Sequence, residues 1–282
     1  MKRRAFTLIE LLVVIAIIGL LSTIAIISTS GSRDKARIAS GISFERSIHE
    51  AMGASLAAQY DFEEGSGATA GDSSGNGNNA TLSGAPTWGT DTYGVGSKYS
   101  MSFSGGNYVA PAKAFGVGNG NYTIMAWVKT TSAIGQMYFV GNDAGGNGYR
   151  FGLGGGSIAF LIGNGLGNTE GNCGAQKAND GKWHHIAGVF SRTGLSFTCY
   201  MDGHALSTIT LPSAYAGATD IAARIGTSYC CSTFTGQLDD VRVYTQDLTL
   251  SYINSIYNEG KDRFAFADAE AAFLGRDGKN GT

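Results

Sequence analysis

The stretch from Phe6 to Ile27, "FTLIELLVVIAIIGLLSTIAII", holds one charged residue, Glu10, and no proline. A run of ~20 apolar residues matches the hydrocarbon thickness of a bilayer when wound as a helix. Within hydrocarbon a helix satisfies its own backbone hydrogen bonds, which an isolated strand or loop does not. The segment therefore dictates an apolar helix, with the polar bulk of the chain placed beyond it. Lys2, Arg3 and Arg4 stand just before the run, where basic residues act as a topology signal. A cleaved secretory signal predicts a shorter apolar core and an A-x-A site, but "STSGS" follows instead. A plain membrane anchor fits the length but not Glu10. A carboxylate at that depth is expensive and marks a partner or a function.

Beyond Ile27 the polar residues Arg33, Asp34, Lys35, Arg37, Glu45 and Arg46 alternate with an apolar stripe of Phe44, Ile48, Met52 and Leu56. That spacing predicts one face of an amphipathic helix. One long helix is expected from about Phe6 to about Ala58, with Gly31 and Gly41 as weak points and its second half packed on a globular domain. From Tyr60 the period falls to two. "YTIMAWVKT", "WHHIAGVF", "LSFTCYMDG" and "FTGQLDDVRVYT" read as strands bounded by Gly, Asn or Asp turns, and "MDGH" carries the Asp-Gly signal of a tight hairpin. Glycine at 43 residues and charged residues at only 15% suit many short strands joined by tight turns. A β-sandwich or jelly roll is expected, α+β overall once the helix is counted. The net charge of -2 argues against nucleic acid as the primary partner.

Several residues are candidates for chemistry. His184 and His185 are adjacent on a strand, so they point to opposite faces, one toward a core or hydrogen bond and one outside. "DFEE" (Asp61 to Glu64) has no second carboxylate run to complete an acid–nucleophile pair, so no enzyme is expected. "GDSSGNGNN" places Asp72, Asn76 and Asn78 among glycines, and Asp239-Asp240 flank the last strand. Calcium takes six to eight such oxygens, and Asp72, Asp240 and Glu63 are its candidate ligands; the competing reading is that Asp72 caps a turn. Trp88, Tyr93, Tyr108, Tyr138, Tyr149 and Tyr229 lie near glycine-rich loops, and no subset stands out as a sugar platform. The four cysteines, Cys173, Cys199, Cys230 and Cys231, fit no zinc or redox spacing and are expected to form disulfides. Cys230 and Cys231 joining each other is one pairing; two long-range bridges, each reaching Cys173 or Cys199, are the preferred one.

The residues "KRRAFTLIELLVVIAIIGLL" resemble the N-terminus of type IV pilins and of the pseudopilins of type II secretion. The resemblance implies cleavage by a membrane prepilin peptidase between Ala5 and Phe6, methylation of the new amine at Phe6, and an assembly role for Glu10. The family usually has Gly where this chain has Ala5. Many members carry a helix-kinking Pro where this chain has Ile27, which implies a straighter helix. Charge physics points the same way. A carboxylate in a filament core of apolar helices is penalised unless paired, and the amine of a neighbouring subunit's Phe6 neutralises it and sets the register.

Five blocks in order, from "YDFEEGSGATAGDSSGNGNNATL" through "YTIMAWVK", "DGKWHHIAGVF" and "YMDG" to "FTGQLDDVRVYTQDLT", resemble the laminin-G-like, concanavalin A-like lectin superfamily. Such domains often bind one calcium ion near their loops. The expected organisation is a leader over 1–5, a pilin-type helix over 6–58, a jelly-roll domain over 59–260 and a tail over 261–282. The expected function is a subunit of a pilus-like surface filament, a minor or tip pilin, whose head serves adhesion or glycan binding. The alternative is a pseudopilin of a type II secretion or DNA-uptake system. Partners would be other pilin subunits, the prepilin peptidase, the inner membrane before assembly, and surface glycans. The chain would then reside in the inner membrane and later in an extracellular filament or a periplasmic pseudopilus.

Overall fold

A computed structural model describes residues 8–9, 11–18, 40, 53–94, 97–117, 120–134, 136–141, 147–164, 168–212, 223–227 and 233–261. The chain divides into two compact units, Met1–Met52 and Gly53–Thr282. In the first, residues 8–9 and 11–18 are helical. Phe44, Ile48 and Met52 of the apolar stripe lie outside the described residues.

The second unit is a sandwich of two antiparallel sheets. One runs β14 (His204–Thr210), β13 (Ser196–Met201), β12 (Trp183–Ser191), β7 (Tyr122–Lys129), β16 (Gly236–Tyr244), β5 (Ser100–Phe103) and β4 (Thr87–Gly89), with β1 (Leu56–Tyr60) also on β16. The other runs β11 (Asn168–Asn172), β10 (Ser157–Asn164), β9 (Asn147–Gly154), β8 (Met137–Gly141), β15 (Arg224–Ile225), β6 (Tyr108–Pro111), β3 (Ala80–Ser83) and β2 (Thr69–Ala70). A helix over residues 250–261 follows the last strand. The architecture is the jelly-roll-type sandwich expected from the period-two patterning.

The expected helix through Ala58 is corrected: from Leu56 onward the chain is strand. Leu and Ala are among the strongest helix formers, but the preference is worth under about 1 kcal/mol per residue, and tertiary pairing overrides it. Leu56, Ala58, Gln59 and Tyr60 pair with Tyr244, Val243, Arg242 and Val241. Leu56, Ala58 and Tyr60, at alternate positions, are buried. Because β5 pairs with Gly236 to Leu238 and β1 with Val241 to Tyr244, β16 changes neighbour midway along its length. The change falls at a bulge between Asp239 and Arg242, where Asp240 takes a φ of 44°.

The core between the sheets is aromatic. Phe139, Phe151, Phe160, Phe197 and Phe234 are fully buried, and Phe160 stacks on Phe197 with centroids 4.1 Å apart. Gly188 makes room for this: a Cβ there would lie 2.5 Å from Phe197 and 2.6 Å from Phe151. Ile124, Ala126, Val128, Ile186 and Leu238 face this core. By alternation, Met125, Trp127, Lys129, Trp183, His185, Gln237 and Asp239 face the other side of the same sheet. There Tyr257 of the C-terminal helix stacks on Trp127 at 5.8 Å, with His185 at 6.0 Å.

Candidate functional site

In the first unit the described helical residues expose every large apolar side chain, from 45% for Val14 to 79% for Leu8. Burying each of these against lipid or a neighbour is worth about 1.5–3 kcal/mol. A helix that is apolar all round is stable only when covered on every side. Among the described residues no helix is long and apolar enough to cross a membrane. Ala5, Phe6 and Glu10 lie outside the described residues.

In the second unit the three calcium candidates each have other partners. Asp72 accepts the N–H of Gln59 and of Ser74 on Oδ1, both at 3.0 Å, and that of Asn78 on Oδ2 at 2.9 Å. Burial pushes its carboxyl up, but hydrogen bonds from the Ser74 side chain and from these three amides outweigh burial and hold it below the usual range. Asp72 is therefore the brace of the 71–79 loop, the turn-capping role. Asp240 forms a two-pronged pair with Arg242 at 2.7 and 2.8 Å and accepts the Gln59 amide at 3.1 Å. Glu63 accepts the N–H of Lys98 on both oxygens, each at 3.0 Å. Among the described residues no group of three or more His, Cys, Asp or Glu side chains is arranged to hold a metal ion. A shared calcium ion would have to displace backbone N–H groups at Asp72 and Glu63 and the Arg242 guanidinium at Asp240, so this donor set does not fit one ion.

Asp239 is a different case. It is fully buried, accepts Ser97 Oγ at 2.9 Å and the N–H of Asp240 at 2.9 Å, and is pushed up to about 9 by burial and then by Asp240. Burial and the neighbouring carboxylate thus favour its neutral form.

The histidine pair separates as alternation requires, but neither side chain is simply outside. His185 lies under the C-terminal helix with 1% exposure, and burial pushes it down to about 4. His184 Nδ1 meets Asp202 Oδ2 at 2.8 Å and Nε2 meets Asp180 Oδ1 at 3.0 Å. Only the doubly protonated ring donates to both. The Asp202 hydrogen bond, opposed by burial and helped by both carboxylate charges, raises its pKa above the ordinary 6.5. Asp202 also accepts the N–H of His185 at 2.9 Å. With Gly203 it forms the hairpin turn between β13 and β14, at φ 49° and 79°. The "MDGH" signal located this turn; the anchoring of both histidines by its aspartate depends on the β12–β13 pairing and has no sequence signature.

Beside this turn is a cleft of about 390 Å³, lined by Cys173, Gly174, Gln176, Asp202, His204 and Leu206. Cys173 is bonded to Cys199. The expectation that Cys230 and Cys231 would each reach one of these is thus corrected. Cys173 follows edge strand β11 and Cys199 lies on β13, next to edge strand β14, so the bond joins the two sheets at their shared edge. Cys230 and Cys231 lie outside the described residues. Of the aromatic candidates, Tyr93, Tyr138 and Tyr149 are buried, and Tyr108 packs under Arg224 at 4.5 Å. Trp88 donates to Gly67 O at 3.3 Å, and Tyr229 lies outside the described residues.

The family described as the concanavalin A-like lectin/glucanases superfamily matches residues 103–254. The prokaryotic N-terminal methylation motif matches residues 1–26. A search of curated proteins finds no match. Among solved structures, domain 4 of AbnA, a GH43 extracellular arabinanase from Geobacillus stearothermophilus, in complex with arabinotriose, is 19% identical with a TM-score of 0.59, covering 72% of this chain and 98% of that domain. The binding domain of Paraclostridial Mosquitocidal Protein 1 is 13% identical with a TM-score of 0.60, and 73% of this chain and 52% of that one are covered. The binding domain of botulinum neurotoxin DC in complex with SialylT is 12% identical with a TM-score of 0.56, with the same two coverages of 73% and 52%. The chain thus spans about half the length of these two toxin binding domains. At such identities the likeness is one of fold. A prepilin-type segment is joined here to a lectin-like sandwich.

Proposed function

The chain belongs to the concanavalin A-like lectin/glucanases superfamily, and on that premise we propose that it is a minor or tip subunit of a type IV pilus-like filament that displays its sandwich as an adhesive, glycan-binding head. The observation that carries the assembly half is the helix of residues 8–9 and 11–18, apolar and exposed on every side. Alone in water it is unstable; in lipid, or among identical helices, it is covered. Cleavage at Ala5–Phe6 by a prepilin peptidase frees the amine that pairs with Glu10 of an adjacent subunit. The subunit waits in the inner membrane and leaves it by assembly.

The head acts as a binder, not a hydrolase. Supporting this, Asp72, Glu63, Asp180, Asp202 and Asp240 each serve a loop, a turn or an ion pair. The complexes with arabinotriose and SialylT among its fold relatives favour a glycan as partner. Mass spectrometry of the mature N-terminus tests the assembly reading: a methylated Phe6 is expected, and an intact Met1 or a cut near Ser30 would overturn it. Electron microscopy separates the two machines, since long surface filaments bearing this head are expected and a short periplasmic pseudopilus would transfer the protein to the secretion class. Hydrolysis of a glycan by the purified protein would overturn the assignment as a binder.

A further inference from the structure

On the face of the first sheet that turns away from the core, strand pairing sets Trp183, Lys129, Gln237, Ser102 and Thr87 side by side. Trp183 is opposite Lys129, Lys129 opposite Gln237, Gln237 opposite Ser102 and Ser102 opposite Thr87. The next row on this face, His185–Trp127–Asp239, is roofed by Tyr257 and by Gly260, whose Cβ position falls 2.8 Å from Trp127. The Trp183 row lies outside that roof: the side chains of Lys129 and Asp91 are 28% and 49% exposed, and Trp183 and Gln237 are half-buried.

Three details make this row a prepared surface. Trp183 Nε1 donates to Asp91 Oδ1 at 3.0 Å, while Asp91 Oδ2 takes Lys129 Nζ. The indole is thus held by one edge against the sheet. Gln237 and Ser100 meet at 3.4 Å, and Ser100 donates onward to Asp91 O at 2.7 Å. Opposite them stands Gly89, extended and free of any backbone need for glycine. A Cβ at Gly89 would come within 3.0 Å of Gln237 Nε2 and 3.1 Å of Ser100 Oγ and Ser102 Oγ. With no side chain at Gly89, the Gln237 amide and the two serine hydroxyls close in over its backbone and stand as a cluster of donors and acceptors beside Trp183.

We propose that this Trp183 row is a glycan subsite that takes an uncharged sugar ring, stacked on the indole with its hydroxyls on Gln237, Ser102 and Asp91. The assignment rests on the reading of the head as a glycan binder and adds the place and the ligand class. An indole presents an electron-rich face that attracts the C–H groups of a sugar. Its fixed edge means that little freedom is lost on binding. Amide, hydroxyl and carboxylate groups supply both donors and acceptors to sugar hydroxyls. Lys129 and Asp91 neutralise each other, so the row offers no net charge to recruit an anionic sugar.

The full chain in a zwitterionic, sugar-free detergent is titrated with arabinotriose, cellotriose, chitotriose and 3′-sialyllactose, following heat and tryptophan fluorescence. At least one neutral trisaccharide is expected to bind. Trp183→Ala and Gly89→Val are each expected to weaken it by about tenfold or more, equivalent to 1.4 kcal/mol. Gly89→Val pushes the Gln237, Ser100 and Ser102 side chains out of place without touching the indole, so it decides the matter if Trp183→Ala fails to fold by circular dichroism. Neutral sugar binding that survives Gly89→Val unchanged overturns this subsite and leaves the glycan-binding head standing. Tighter binding of 3′-sialyllactose overturns the neutral class. Binding of none of the four overturns subsite and glycan reading together, while the filament reading, tested on Phe6, is untouched.

Discussion

Leu8, Ile9, Leu11 and Ile15 stand 60–79% exposed, whereas Tyr60, Phe139, Phe151, Phe160 and Phe234 of the sandwich are buried completely or nearly so. Both units are rich in apolar residues, so composition does not separate them. What differs is the period. An unbroken apolar run has no polar face to turn to water and must find its cover outside the chain. A period of two gives each strand one face for a partner sheet, and the cover comes from within. The first unit is therefore built for association and the second for independence, and substitutions in one should leave the other's behaviour alone.

The sharpest break of that comparison is Glu10→Leu. Membrane insertion and head folding should persist while filaments fall by more than about tenfold in electron micrographs, since an unmatched buried amine is left behind; normal filaments would refute the pairing. In the head, replacing Cys173 and Cys199 together by Ala should cost about 3.5 kcal/mol in urea unfolding, the value expected for a loop of that size, with assembly unchanged. Asp72→Ala removes the acceptor of three amides. It should lower head stability by about 2 kcal/mol, from unpaired N–H groups, and a loss of filaments instead would mean that the units are coupled.

A pH series is subtler. Because His184 has a raised pKa in the folded chain, its contribution is whole below about pH 6.5 and is lost as pH rises through the folded value. Melting temperatures should therefore fall more steeply as pH rises above about 6.5 in the parent than in His184→Gln. The smallest expected effect is that of calcium. Millimolar calcium, or its removal by chelator, should move the melting temperature by less than about 1 °C, and a shift of several degrees would restore the ion through linkage.

Much of this was legible in the chain itself. "LSFTCYMDG" announced β13 and its turn, and the alternation in "WHHIAGVF" separated His184 from His185. Where local reading failed, the cause was a distant strand. "LAAQY" has the residues of a helix end, and only β16, far along the chain, draws it into a sheet. Asp72 and Asp240 look like calcium ligands in sequence because loop carboxylates among glycines look alike, whatever donors the fold supplies to them. Trp183 escaped notice because its neighbours in the row come from β7, β16, β5 and β4.

The sequence by itself determined that an apolar, Glu-bearing helix precedes a many-stranded sandwich, because hydrophobic period is a local property and each segment carries its own. Only the tertiary structure decided that Cys173 meets Cys199, that His185 is the buried imidazole, that Asp240 pairs with Arg242 across a bulge, and that five strands align Trp183 with Gln237 beside Gly89. Those outcomes depend on register between strands far apart in the chain. A slip of one residue by β12 or β16 against β7 would turn Trp183 or Gln237 to the opposite face.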